Sequence, residues 1–344
     1  TQQKQKIIIP NKHGENLVGL LHDTGSKELV ILCHGFRSTK ETSTIVNVAV
    51  ALENEGISAF RFDFAGNGES EGSFEYGHYF READDLHAVI QHFVGRNRVI
   101  SAILGHSKGG NVVLLYASKY KDVSAVVNVS GRYALEKGIE ERLGKNFLQI
   151  INEVGFIDVM SKSGKVDYRV TKESLLDRLN TNMHEACLKI DGKCRVLTIH
   201  GSADEVIPVE DALTFSKIIP NHKLHIVEGA DHCYTSHQIE LASDALRFIK
   251  ECVQQDRNNT SEVPLYPVEI GDLLRCLIIR YGKEELQMPP VTVTAANKPD
   301  LTLKFNVLRN HRSSFLRCIF DDDGDGDDDD DEMVMVMMMM MKLK

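Results

Sequence analysis

Nowhere in this 344-residue chain do about eighteen apolar residues run together, which removes a membrane-crossing helix from consideration. It also lacks a Cys-x-x-Cys pair. Its seven cysteines, Cys33, Cys187, Cys194, Cys233, Cys252, Cys276 and Cys318, are scattered. An odd, scattered count predicts reduced thiols and a reducing, cytoplasmic compartment rather than a disulfide framework. The chain begins at Thr1 without Met, so that reading leaves room for a targeting segment ahead of it. Fourteen histidines are present, yet there is no His-Glu-x-x-His and no tight Cys/His grouping, so no metal site is expected. No Gly-x-Gly-x-x-Gly follows a strand and there is no phosphate loop, so no cofactor is expected either.

Net charge of either sign is nearly absent outside the last two dozen residues. Residues 321–332 hold nine Asp and one Glu, and only Lys342 and Lys344 offset them. That tail carries −8 of the net −10, leaving −2 on residues 1–320. A nearly neutral body argues against nucleic acid or an anionic membrane as a partner. Asp321, Asp323, Asp325, Gly326 and Glu332 do match a calcium-loop spacing. We read the match as chance, because Asp328 stands where such loops carry an apolar residue and no amphipathic helices flank it. An Asp run followed by a Met/Val run also reads as one triplet tract translated in two frames.

Against these absences stands Gly105-His106-Ser107-Lys108-Gly109-Gly110. The apolar run Val99–Leu104 before it reads as a buried strand, and Asn111–Ala117 after it as a helix. A Gly-x-Ser-x-Gly between strand and helix holds its serine on a sharp, strained turn, with the hydroxyl exposed and the helix N-terminus beneath it.

The rest of the chain fits around that turn. Ile7–Ile9 and Leu17–Leu21 flank a turn signal and read as an antiparallel hairpin. Strands are expected at Leu29–Cys33, Ser58–Phe62, Val123–Val129, Arg195–Ile199 and His222–Val227. Helices are expected at 42–54, over Phe80–Val94, and from Ala242 to Val253. Such alternation predicts an α/β fold with a mostly parallel sheet and helices on both faces. Between about Ser130 and Arg195 the alternation breaks, with helices at Leu135–Val154 and Glu173–Leu188 around a hairpin, Phe156–Met160 and Val166–Val170. An insertion this long is expected to be a lid or binding element. Residues 1–255 are read as one domain, and 256–344 as an extension without regular structure.

Ligands of such sheets sit beyond the carboxyl ends of the strands. His34-Gly35, Ser107, Asp204 and His232 all fall at strand ends. A serine hydroxyl needs an adjacent base, so His232 is expected to take its proton and Asp204 to orient the imidazole. Glu205 and Asp231 stay as rival acids and His237 as a rival base, with Asp204 preferred for its strand-end position. The oxyanion donors are expected to be the backbone N–H groups of Lys108 and Phe36. His34 is read as a structural loop histidine, His106 as packing or lining beside the elbow, and Asp63 as a turn stabiliser.

Together with His34-Gly35-Phe36, Arg61–Ser70, Gly201–Asp204 and Gly229–His232, the elbow makes residues 6–254 resemble the serine aminopeptidase-like group of α/β-hydrolases. Within that group the chain is most similar to cinnamoyl/feruloyl-esterase-like proteins. The resemblance implies an eight-stranded sheet, Ser107, Asp204 and His232 as triad, a lid over about 134–193 and a small-molecule ester as substrate. It offers His34, His106, Asp158 and Tyr168 as substrate contacts. The expected activity is cofactor-free ester hydrolysis through an acyl-serine. An acyltransferase or monoacylglycerol-type lipase, and a non-catalytic small-ligand receptor, are the alternatives on the same fold.

Overall fold

A run such as Leu29-Val30-Ile31-Leu32-Cys33 has no polar face, so it is stable only within a sheet covered on both sides. The computed structural model describes residues 4–261 and the strand segments 291–295, 298–310, 313–321 and 335–339. Two compact units result, Thr1–Glu262 and Val263–Lys344.

In the first unit the elements follow in the order β1 (Gln5–Pro10), β2 (Asn16–His22), β3 (Glu28–Cys33), α1 (Ser43–Asn54), β4 (Ser58–Phe62), α2 (Tyr79–Val94), β5 (Val99–His106), α3 (Lys108–Tyr120) and β6 (Ala125–Val129). An insertion then supplies α4 (Glu140–Leu143), α5 (Phe147–Val154), β7 (Phe156–Met160), β8 (Val166–Thr171), α6 (Lys172–Asn180) and α7 (Met183–Leu188). The sheet resumes with β9 (Arg195–Gly201), α8 (Val209–Ile218) and β10 (His222–Val227), and α9 (Gln238–Ser261) closes the unit.

Eight strands pair in the order β1-β2-β4-β3-β5-β6-β9-β10. The β1–β2 and β2–β4 pairs are antiparallel, and every other pair is parallel. The period of two divides each central strand between two cores. Leu29, Ile31 and Cys33 pack with α2 and α3, whereas Val30 and Leu32 pack with α1 and α9. Each such side chain stabilises the fold by about 1.5–3 kcal/mol through burial. The register aligns the strand ends. Cys33 pairs with Gly105, His106 with Val129, and Gly201 with Val227, so the loops after β3, β5, β6, β9 and β10 gather along one edge.

The insertion departs from the sequence expectation in detail. The helix expected over Leu135–Val154 is two shorter ones, because Gly144, with φ +88°, ends α4. The helix expected over Glu173–Leu188 is likewise broken. Asn182 starts α7 afresh by accepting a hydrogen bond from the Glu185 N–H. A third apolar cluster of Tyr76, Ile139, Leu143, Ile151, Val170 and Leu175 seats the insertion, with Phe36, Ile157, Val159 and Tyr168 packed against it.

No helix among the described residues is long and apolar enough to cross a membrane. The helix α9 runs on to Ser261, beyond the expected limit of 255. In the second unit β11 (Val291–Ala295), β12 (Lys298–Asn310), β13 (Ser313–Asp321) and β14 (Met335–Met339) form one antiparallel sheet in chain order. The sequence expectation of no regular structure there rests on Pro264, Pro267, Pro289 and Pro290. The alternation Leu301, Leu303, Phe305, Val307 with Thr302, Lys304 and Asn306 outweighs it, since a period of two is strand-forming. The calcium-like spacing lies outside the described residues except for Asp321.

Candidate active site

Ser107 sits between β5 and α3 with φ +57° and ψ −119°, a backbone conformation that L-residues rarely hold. The turn is possible because strand and helix touch backbone to backbone. A Cβ on Gly105 would lie 2.0 Å from the Gly109 carbonyl oxygen, and one on Gly109 would lie 2.5 Å from that of His34. The Ser107 N–H donates to the Val129 carbonyl at 2.7 Å, which fixes the turn to β6.

The loops after β9 and β10 complete the cluster. His232 Nε2 lies 3.0 Å from Ser107 Oγ, and its Nδ1 lies 2.7 Å from Asp204 Oδ2. With Nδ1–H donating to the carboxylate, Nε2 is free to accept the serine proton. The other oxygen of Asp204 accepts the N–H groups of Val206 (2.9 Å) and Ile207 (2.8 Å). Burial alone would push the Asp204 carboxyl up. Hydrogen bonds from His200 and His232, and from the Ile207 backbone, outweigh that and hold it well below the usual range. Glu205 is exposed, Asp231 accepts from the Thr235 N–H at 2.7 Å, and neither reaches His232. His237 lies beside Gly229, with its Nδ1 unpaired. The arrangement can therefore relay one proton from serine to imidazole and hold the resulting imidazolium against a carboxylate.

Two backbone donors face the same edge. The N–H groups of Phe36 and Lys108 have no acceptor among the described residues. A Cβ on Gly35 would come within 3.1 Å of Ser107 Cβ, so the Phe36 loop runs directly against the serine. His34 is fully engaged in holding that loop. Its Nδ1 bonds the Gly35 carbonyl at 2.8 Å and its Nε2 accepts the Phe64 N–H at 3.1 Å. Burial pushes it down to about 4, and it stays neutral. Asp63 accepts from both the N–H and Nζ of Lys40 and from the Glu69 N–H, tying the β4 turn to the loop before α1.

His106 is a correction to the lining role. It is buried, and its Nε2 bonds the His232 carbonyl at 2.8 Å, so it supports the loop that carries His232. His34 likewise spends both ring nitrogens on backbone groups and packs its ring edge-on against Phe64 at 5.1 Å. Three positioning residues escaped the sequence reading. His200 Nε2 lies 2.9 Å from the Ile207 carbonyl and 3.3 Å from Asp204 Oδ2. Tyr234, at φ +54°, anchors the His232 loop by donating to the Ile199 carbonyl at 3.2 Å, with Ser130 Oγ 2.9 Å away. Their only sequence signal is proximity to the motifs.

The Lys108 side chain turns away from the serine into the interior. Its Nζ reaches Glu82 Oε1 at 2.6 Å and the Gly77 carbonyl at 2.7 Å. Burial pushes the Glu82 carboxyl from 4.5 up to about 7, against the pull of Lys108. A carboxyl raised on folding is stabilising below its unfolded value, and that contribution is lost as pH rises through the folded one. Unfolding free energy should therefore contain a component that declines between pH 4.5 and about 7. Denaturant titrations across that window should show the decline abolished in Glu82→Gln. An unchanged slope in the variant would assign it elsewhere.

The insertion meets the site through aromatic contacts. Tyr168 packs edge-on to Phe36 (5.7 Å) and Phe74 (5.6 Å), with the Arg37 guanidinium 4.6 Å above its ring. Arg37 in turn forks onto Asp167. Asp158 is a second correction. It pairs across the β7–β8 hairpin with Arg169, at 2.7 and 2.9 Å, whereas Tyr168 pairs with Val159. Neighbouring strand positions face opposite ways, so Asp158 and Tyr168 cannot line one pocket.

Comparison with known proteins bears on this geometry. Residues 24–185 match the model of the family described as serine aminopeptidase, S33. YfhR of Salmonella typhimurium, an uncharacterised protein, is 27 % identical over 204 residues, which are 58 % of this chain and 64 % of YfhR. The chain thus spans just under two thirds of that relative. Lipase 1 of Psychrobacter immobilis is 24 % identical over 271 residues, covering 71 % of this chain and 83 % of the lipase. Among solved structures, Est1E of Butyrivibrio proteoclasticus with ferulic acid bound has a TM-score of 0.64 at 25 % identity. The match covers 72 % of this chain and 99 % of Est1E.

Proposed function

Given that the chain belongs to the α/β-hydrolases, we propose that it hydrolyses carboxylic esters through an acyl-serine intermediate. The observation that carries this is the continuous hydrogen-bonded line from Ser107 through His232 to Asp204, built on a strained elbow. Ser107 Oγ attacks the ester carbonyl carbon while His232 Nε2 takes its proton. The carbonyl oxygen becomes an oxyanion held by the N–H groups of Phe36 and Lys108, each worth about 10²–10³ in rate. The intermediate collapses, and the alcohol leaves with the proton from His232. Water, activated by the same imidazole, then attacks the acyl carbon and releases the acid. No step calls for a cofactor.

The insertion acts as a lid over the acyl pocket, with Phe36, Phe74 and Tyr168 against the acyl group. Their aromatic packing, and the likeness to an Est1E that binds ferulic acid, support aryl or cinnamoyl esters as the substrate class. A lipase reading is favoured by a different feature. On the insertion helix α5, Ile150 and Val154 are four apart, share one face and are exposed at 40 and 56 %, an apolar patch suited to a lipid surface.

A fluorophosphonate probe, followed by hydrolysis of chromogenic esters from acetate through feruloyl to long-chain acids, tests both. The expected result is one phosphonyl group per chain on the peptide carrying Ser107, and turnover strongest for aryl acyl groups. Turnover confined to long chains above their aggregation threshold would select the lipase reading. A folded protein that neither labels nor turns over any ester would overturn hydrolysis.

A further inference from the structure

At the edge strand β10 and the helix α9 that follows it, three side chains converge that the proposed chemistry does not use. We infer that His225, Glu240 and Asp244 form a site for a divalent transition cation of zinc-like ligand preference, one that clips β10 to α9. Among the described residues this is a group of His and acid side chains whose ligand atoms all lie within 4.8 Å of one another. Glu240 and Asp244 are four apart on α9, so they share one helix face, and β10 presents His225 to it.

The pairing within the group is what points to an ion. The Asp244 side chain is 9 % exposed, and Arg247 Nη2 occupies its Oδ1 at 2.6 Å. Its Oδ2 lies 2.8 Å from His225 Nε2, yet off hydrogen-bond geometry, and both buried atoms are left without a hydrogen-bond partner. An imidazole nitrogen and a buried carboxylate oxygen in contact but outside any hydrogen bond are costly unless positive charge is shared between them. One imidazole nitrogen and two carboxylates, with water in the remaining position, is a donor set zinc accepts. Glu240 is exposed and free to swing onto the ion. The two stems so joined are those of the 228–237 loop, which carries His232, so the cation would hold the ends of that loop together.

The acidic tail would also attract cations, so the full chain must be compared with variants of itself. Chelator-stripped protein is dialysed against micromolar zinc chloride, and bound metal is counted by atomic absorption. Wild type should retain one zinc per chain more than His225→Ala or Asp244→Asn, and its thermal midpoint should rise with zinc while theirs does not. His225 is partly exposed, so its alanine variant keeps the fold. Equal uptake by wild type and His225→Ala would overturn the site, assigning bound metal to other carboxylates and a shared proton to the His225–Asp244 contact.

Discussion

Ser107→Ala should lower kcat on a chromogenic ester by at least about 10⁴-fold and leave KM within a few-fold, because only the transition state uses the hydroxyl. Thermal stability should hardly change. Ser107 buries no apolar group, its N–H bond to Val129 is backbone, and Ala bears the same positive φ with the same Cβ. The residual rate has a physical source, since the Phe36 and Lys108 donors would still polarise a bound carbonyl for attack by water. Ser107→Gly supplies the control for strain. It should be as inactive as the alanine variant yet at least as stable, because glycine holds φ +57° without steric cost. Steady-state kinetics and thermal unfolding of the three proteins check this together. Retention of more than a few per cent of wild-type kcat by Ser107→Ala would remove serine as the nucleophile.

How much of this site can be read from the chain follows from where each contact comes from. Ser107, Asp204 and His232 are legible because each ends a strand inside a short motif, and a parallel sheet brings strand ends together. The Phe36 and Lys108 N–H groups proposed as oxyanion donors are picked out by the same reasoning, as neighbours of β3 and the serine. What the chain hides is everything set by a partner distant in sequence. Nothing in the residues around His106 announces that its ring supports the His232 carbonyl, 126 positions away. Lys108 reads as a surface-type residue, and only the α2 register delivers Glu82 to its ammonium. Asp158 was open to misassignment because hairpin register decides which face a residue takes, and a shift by one position reverses it. The metal inference is hidden in the same way, with His225 on a strand and its partners on the helix that follows.

Asp204→Asn isolates the electrostatic part of the relay, and the surrounding hydrogen bonds determine how it fails. In the native protein Oδ1 accepts from Val206 and Ile207 while Oδ2 accepts from His232. An asparagine that keeps its carbonyl oxygen on the two backbone donors turns its NH₂ toward His232 Nδ1. That stabilises the tautomer with the proton on Nε2, which points at Ser107 and can accept nothing from it. The NH₂ would also meet the N–H of His200, 3.3 Å from the native Oδ2, so the imidazole of His200 must turn as well. Loss of kcat should be about 10⁴-fold, as expected where an orienting acid is replaced by its amide. The charge has a second signature. Because the Asp204 carboxyl is held low on folding, its contribution to stability is present above the usual carboxylate range and is lost as pH falls through the folded value. The Asn variant should therefore be less stable than wild type at neutral pH, and the gap should narrow on acidification. Exposed Glu205 gives the matched comparison, with Glu205→Gln keeping kcat within about twofold, as for surface changes away from a site. A large loss in Glu205→Gln beside a small one in Asp204→Asn would transfer the orienting role to the neighbouring acid.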